Sequence, residues 1–340
     1  MTRISRPLGS RPSISFVIPV RDDAERLRRC LHSIAVNGYP QRHIEVIVVD
    51  NGSSDGSGSV ARLAGAMVLR VTGVTVAELR NRGARVAAGD ILAFVDADHE
   101  IDSTWVAGAV DALADHHTGA VGAAYHAPAD GTWVQRVYDG LRPRTSGRRD
   151  VTWLGSGNLA MRAEVFRDIG GFNTALETCE DVDLCARVRA SGYRVVSDDR
   201  LRSVHLGDPP TLRALFLSEL WRGRDNLRMS MRGADSWRDV PSVAIPVIHL
   251  VALAVILAGL VTAPLGGAMM AAVALAAIPL VSSLRALRIL SIRRRFGAVA
   301  VAQSFAVAIV YDLARAAAIV LRTGHGTRRV ACAGYLRNLN

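Results

Sequence analysis

Two short apolar runs of this chain stop in clustered carboxylates, Val48-Val49-Asp50-Asn51-Gly52-Ser53-Ser54-Asp55 and Phe94-Val95-Asp96-Ala97-Asp98. That pattern constrains the fold more than any other, because aspartates do not interrupt a buried strand without cost but do gather at its carboxyl end. In an open α/β sheet the carboxyl ends of the strands border the crevice where ligands bind. Asp-x-Asp also sets two hard oxygen donors on one turn, where a divalent cation can bridge them to a diphosphate.

The flanking sequence has the matching rhythm. Strand patterns at Ser13 to Val20, Ile44 to Val49, Ala66 to Val71 and Ile91 to Val95 alternate with helical spacing at Asp22 to Ala35, Ser57 to Ala66 and Val76 to Ala88. Such alternation predicts a mostly parallel sheet. Beyond Asp98 the rhythm loosens: a helix is expected from Ser103 to Asp115, a strand at Ala120 to Tyr125, a polar loop from Arg142 to Asp150, helices at Arg162 to Ile169 and Cys179 to Ala190, and a late strand at Tyr193 to Val196.

From Val243 onward the composition changes. Residues 243–263 and 266–284 are uncharged and each long enough to cross roughly 30 Å of hydrocarbon. A third apolar stretch, 297–321, contains Gln303, Asp312 and Arg315 and is followed by Arg322, Arg328, Arg329 and Arg337, so it is read as a helix in or beside the interface. The expected organisation is a polar tail at 1–12, an α/β head at 13–211, an amphipathic interface segment at 212–240, a membrane region at 241–322 and a basic tail at 323–340.

The net charge of +10 does not point to nucleic acid. Arginines cluster beside the hydrophobic segments, at Arg222, Arg224, Arg228, Arg232 and Arg238 and from Arg285 to Arg295, where the positive-inside rule puts them on the cytoplasmic side. Anionic lipid is therefore the expected partner, and a multi-pass protein with a cytoplasmic head is expected, since Met1 to Pro12 has no apolar signal core. Every cationic side chain other than histidine is arginine, which fits a GC-rich bacterial genome, and the four cysteines show no metal-ligand spacing.

Phe16-Val17-Ile18-Pro19-Val20, the Asp50 to Asp55 turn, Arg80-Asn81-Arg82-Gly83 with Ala88-Gly89-Asp90, Asp96-Ala97-Asp98, Gly170-Gly171-Phe172 and Glu180-Asp181-Val182-Asp183-Leu184 stand in an order that resembles glycosyltransferase family 2. The resemblance covers about residues 13 to 207. It implies a GT-A-like domain that transfers a sugar from a nucleotide-diphospho donor with inversion, using Mg²⁺ or Mn²⁺. It also implies roles: Pro19, Asp50, Asp55, Arg80 and Asp96 toward the donor, Asp98 and His205 on the metal with Asp96 sharing either duty, and Asp181 as general base. Gly155, Gly157, Asn158 and Glu180 fall on the acceptor side with Trp153, which either stacks on a sugar or fills the core.

The residue chemistry agrees, since an inverting transfer needs a base for the acceptor hydroxyl and positive charge for the departing diphosphate. One departure narrows the expectation. Processive members carry Gln-x-x-Arg-Trp after the histidine, whereas this chain has Ser218-Glu219-Leu220-Trp221-Arg222. Transfer of a single sugar, onto an acceptor that the apolar tail suggests is lipid-linked, is the expectation. A nucleotidyltransferase with paired aspartates and a non-catalytic membrane scaffold are the rivals, but the first lacks its basic glycine-rich loop here and the second gives no reason for the carboxylates.

Overall fold

The computed structural model describes residues 7–9, 11–142, 144, 146–223, 240–262 and 267–321. The expected turn at Pro264 to Gly267, except Gly267, most of the interface segment and the basic tail from Arg322 lie outside the described residues. The chain forms two compact units, Met1–Pro128 with Arg142–Gly207, and Ala129–Leu141 with Asp208–Asn340.

The first unit is the α/β head. Its strands β1 (Ile14–Val20), β2 (Ile44–Asp50), β3 (Met67–Arg70) and β4 (Ile91–Val95) are parallel, as the alternation predicts, and are arranged 3-2-1-4. Helix α1 (Ala24–Ala35) buries Leu27, Cys30, Leu31 and Ile34, and α2 (Ser57–Leu63) and α3 (Val76–Val86) complete the strand–helix units. Thr75 caps α3 by accepting the Glu78 amide at 3.3 Å, and Gly83 lets that helix approach the sheet, because a Cβ there would meet the Val17 and Val49 side chains. Side chains Phe16, Ile18, Leu27, Ile91 and Trp105 build one face of the core, and Val17, Ile47, Val49, Phe94 and Phe166 the other.

Beyond β4 the sheet becomes mixed. The full order is β3-β2-β1-β4-β8-β6-β9-β7, with β5 (His99–Ile101) and β10 (Ser203–His205) in a separate antiparallel pair. Helix α4 (Trp105–Ala114) leads to β6 (Thr118–Gly122), which runs parallel to β9 (Arg194–Asp198). Between β4 and β6, β8 (Asn158–Arg162) is a fully buried strand antiparallel to both, where the sequence suggests only an apolar turn. The charged segment Arg148–Asp150, expected as loop, is the edge strand β7; its exposed charges blunt an otherwise sticky edge. Helices α6 (Ala163–Asp168) and α7 (Glu180–Ala190) lie near the expected ranges.

The second unit comprises α5 (Trp133–Tyr138), begun by a Thr132–Gln135 capping box, with α8 (Leu212–Arg222), α9 (Val240–Val261), α10 (Gly267–Arg293) and α11 (Ala298–Val320). Val134, Val137, Tyr138, Leu215, Ile289, Val307 and Ala308 form its core. The boundary near 211 expected from sequence therefore has a counterpart that sequence did not reveal, since 129–141 folds with the tail. Helices α9, α10 and α11 are all long and apolar enough to cross a membrane, so the third stretch is as long as a span.

Its charged residues Asp312 and Arg315 are paired. Asp312 accepts Arg285 Nε at 2.6 Å and Ser282 Oγ at 2.9 Å, and Ser282 Oγ lies 3.1 Å from His249 Nε2. Arg315 Nε donates to Glu219 at 2.7 Å, and the Tyr138 hydroxyl donates to the same carboxylate at 2.6 Å.

The close crossing at Gly83 gives the first prediction. Gly83→Val forces a branched side chain into Val17 and Val49 and should cost about 1–3 kcal/mol, the usual range for overpacking, read as a lower melting temperature of the purified chain.

Candidate functional site

The strand order reverses at β1, whose neighbours β2 and β4 lead away on opposite sides. Pairing of β1 with β4 ends at Val17↔Phe94, whereas pairing with β2 continues to Val20↔Asp50. A crevice therefore opens above β4, at the kind of switch point where open sheets bind ligands. Pro19 lies beyond the last β1–β4 pair, so its missing N–H interrupts no ladder on that side.

The donor-side aspartates shape the rim of this crevice. Asp50 is buried and accepts the Ser53 amide at 2.7 Å, closing the Asn51-Gly52 turn. Asp55 accepts the Ala24 amide at 2.8 Å, capping α1, and the Ser57 amide at 3.0 Å. Burial works against the Asp55 charge, but these hydrogen bonds outweigh it and hold the carboxyl below its usual range. Asp22, with a left-handed φ of 49°, accepts the Ser54 amide at 2.7 Å, so the loops after β1 and β2 are laced together.

Arg80, expected toward the donor, is turned to carboxylates of the protein. It is 2% exposed, and its two terminal nitrogens donate to Glu180 at 2.8 Å and Asp96 at 2.6 Å. Its forked edge is thus spent on two carboxylates of the protein. Glu180, expected beside the acceptor, is likewise turned inward onto Arg80 and Ser156 Oγ, the latter at 3.4 Å.

Asp98 and His205 come together as expected, with His205 Nε2 3.2 Å from the Asp98 carboxylate. A residue that sequence reasoning missed joins them. His99 is paired directly opposite His205 in the β5–β10 ladder, and possible ligand atoms of Asp98, His99 and His205 all lie within 4.8 Å of one another. Tyr125 packs against both imidazoles at 4.8 Å between ring centroids. The only local signal was that His99 follows Asp98; the strand pairing that turns it to the site is invisible in sequence.

Burial would raise the Asp98 carboxyl, but His205, His99 and Arg26 together outweigh that and hold it well below the carboxylate range. Burial first, then the neighbouring His205, lowers His99 to about 4. One anionic oxygen and neutral imidazole nitrogen beside it suit a divalent cation.

Asp181 has the opposite environment. It opens α7 after Cys179, whose left-handed φ of 62° turns the chain into the helix. Burial, then the like charge of Glu180, pushes Asp181 up to about 7, although the Val182 amide donates to it at 2.8 Å. Gly155 faces this carboxylate and the Tyr125 ring: a Cβ there would lie 3.9 Å from each. Gly157 borders Asp96 and His99 in the same way, where a Cβ would be 3.2 Å from His99 Nε2.

Two acceptor-side expectations need correction or refinement. Asn158 is buried, receiving Trp105 Nε1 at 2.6 Å and donating to the Ala123 and Leu201 carbonyls at 2.9 Å each. Its polar atoms are engaged inside the head, where it ties β8 to α4. Trp153 is 47% exposed, which removes the core-filling alternative.

The Arg80 bridge yields a prediction. Arg80→Met leaves Asp96 and Glu180 without their cation and should cost about 3–5 kcal/mol, as removal of one partner from a buried pair does, measurable by thermal or chaotrope unfolding.

Residues 15–170 match Glycosyl transferase family 2. Glycosyltransferase AglE of Haloferax volcanii is 30% identical over 193 residues, covering 54% of this chain and 63% of that protein. The pre-mycofactocin glycosyltransferase of Mycobacterium tuberculosis is 28% identical over 199 residues, covering 55% and 41%. The chain thus spans less than two thirds of the length of these curated relatives. Among solved structures, a mannosyltransferase from Pyrobaculum calidifontis in complex with GDP-Man and Mn²⁺ superposes with a TM-score of 0.60 at 18% identity, over 94% of this chain and 89% of that one. The α/β head thus has a GT-A-like fold and is similar over residues 15–170 to glycosyl transferase family 2, and three apolar helices long enough to span a membrane follow it.

Proposed function

We propose that this protein is a membrane-attached, metal-dependent glycosyltransferase that moves one sugar, with inversion, from a nucleotide-diphospho donor to a lipid-linked acceptor of a cell-surface glycan. The observation that carries the reading is the pair of oppositely tuned carboxylates: Asp98 held ionised beside histidine, and Asp181 raised to about 7. Environments that push two acids apart assign them different tasks. The solved relative of the same fold that holds GDP-Man and Mn²⁺ supports the donor class.

Asp98 and His205 would hold the divalent cation, which when bound supplies positive charge for the departing diphosphate. The donor set fits: the two side chains are already 3.2 Å apart, a separation ordinary for neighbouring ligands of one small cation. Asp50 and Asp55 fix the turns that receive the nucleotide, and Asp96, steadied by Arg80, borders the ribose or the metal. Arg80 is a positioning residue in this scheme. Asp181 accepts the proton of the acceptor hydroxyl as the new bond forms, and Gly155 leaves room for that hydroxyl's approach. Trp153 offers its exposed face to the acceptor sugar.

The membrane helices on the same chain are the support for a lipid-linked acceptor. Helices α9 and α10 cross, the arginine-rich segment after Leu284 is cytoplasmic with the head, and α11 lies along the inner interface. Support for the last point is that α8 runs beside α11: Leu215 packs with Val307 and Ala308, Glu219 pairs with Arg315, and Gly223 abuts Ala318. A perpendicular α11 would drag Glu219 and Arg222 into hydrocarbon, at a cost of several kcal/mol.

Radiolabelled transfer from a panel of nucleotide sugars into lipid extract tests the activity; no transfer from any donor, with divalent cation present, would refute it. The pH dependence tests the base. Because Asp181 must be ionised to accept a proton, kcat/KM should rise as pH increases through about 7 and level off above it. The sign for stability is opposite: a carboxyl raised in the folded state makes the fold less stable as pH climbs from the normal carboxylate range through about 7. Asp181→Asn should lower kcat by about 10² to 10⁴ and remove both pH effects while donor affinity persists. A collapse of donor affinity instead would make Asp181 a binding residue.

Reporter fusions test the topology. A fusion after Arg295 should read cytoplasmic, one within the Pro264 to Gly267 turn external, and one at Asn340 cytoplasmic; an external signal at Asn340 would mean that α11 spans.

A further inference from the structure

We propose that His99 is a third protein ligand of the divalent cation, giving the site two imidazole nitrogens and one carboxylate oxygen and making it select transition-metal ions over Mg²⁺. The inference rests on the metal-dependent reading above and assigns a residue outside the sequence motif.

Three observations carry it. First, the β5–β10 ladder sets His99 directly opposite His205, and their ring centroids are 4.8 Å apart, so both imidazoles project from one small patch beside Asp98. Second, His99 Nδ1 is engaged by Ser203 Oγ at 3.1 Å. That contact fixes the ring and leaves Nε2 for a ligand, the arrangement by which metal-bound histidines are usually oriented. Third, the space in front of Nε2 is kept open by Gly157, where a Cβ would stand 3.2 Å from this atom and 2.5 Å from Asp96 Oδ2.

The sizes agree. Donors about 2.1 Å from one ion lie no more than about 4.2 Å apart, and the three candidate atoms lie within 4.8 Å of one another. A closing shift of roughly 0.6 Å brings the widest pair inside that limit. Mg²⁺ demands oxygen donors and sheds water reluctantly, whereas nitrogen donors favour later first-row ions in the order Mn²⁺ below Co²⁺. A two-histidine, one-aspartate site should therefore rank Co²⁺ above Mn²⁺ and both above Mg²⁺.

The test uses the full chain in detergent, titrated separately with CoCl₂, MnCl₂ and MgCl₂ by calorimetry, with the visible spectrum of Co²⁺ followed in parallel. The wild type should bind Co²⁺ and Mn²⁺ at least about 10-fold more tightly than Mg²⁺. His99→Gln should weaken Co²⁺ by about 10- to 100-fold, the scale set by lost support around a metal, shift the Co²⁺ absorption band, and leave Mg²⁺ nearly unchanged. His99→Asp, which swaps nitrogen for oxygen, should narrow the Co²⁺ to Mg²⁺ ratio while retaining binding; circular dichroism checks that both variants fold. A wild type that prefers Mg²⁺ overturns the proposal without any variant, as do variants with the wild-type ratio and an unshifted Co²⁺ band. In that case metal-dependent transfer still stands if Asp98→Ala abolishes binding. Absence of any divalent binding by the wild type, alone or with inorganic diphosphate, overturns both.

Discussion

A guanidinium almost sealed from water links three distant stretches of the head: Arg80 from α3, Asp96 at the end of β4 and Glu180 at the start of α7. The arrangement is costly to build, because burying charge is offset only when geometry and hydrogen bonding are good. Once built it fixes the rim of the crevice. Asp96 is held at the mouth of β4, Glu180 pins the first turn of α7, and Asp181 is consequently aimed into the space lined by Gly155 and Tyr125. The Phe172 ring, 5.5 Å from the guanidinium carbon, covers the remaining face of Arg80.

That clamp also explains why neighbouring acids behave so differently. Glu180 has its own cation, while Asp181 next to it has burial, one backbone amide and a like charge, and its proton is held correspondingly tightly. Asp98, from the same turn as Asp96, is surrounded by His205, His99 and Arg26 and stays ionised. The head thus holds one carboxyl ionised and pushes the other toward keeping its proton by environment alone, since both are aspartates.

The tail follows a different rule. Its helices expose large apolar side chains such as Leu257, Val273, Leu280 and Leu284, as lipid-facing surfaces do, while one set of polar residues turns inward and pairs. His249, Ser282, Asp312 and Arg285 form a hydrogen-bonded series across α9, α10 and α11. In hydrocarbon, unsatisfied polar groups are expensive, so such a series also fixes which faces of the helices meet. Asp312 and Arg315, which in sequence mark the third stretch as interfacial, are both paired, Asp312 with Arg285 and Ser282 and Arg315 with Glu219.

The parallel half of the head was legible from sequence because each of its strands is a continuous apolar run bounded by a helix with its own period, and the acidic strand ends marked the crevice directly. Asp98, His205 and Asp181 could be named for the same reason: each closes a local pattern. What local pattern could not carry was pairing between distant segments. β8 is buried on both faces and short, so it resembles an apolar turn; β7 is held only by its ladder to β9 and has no apolar side chain; α5 belongs with the tail although it lies between strands of the head. Asn158 and Arg80 bear polar groups that would serve a ligand equally well, and only the atoms packed around them decide that they serve the protein. His99 is the converse case: nothing in its neighbours along the chain assigns it a task, and it reaches the site because an antiparallel register sets it across from His205.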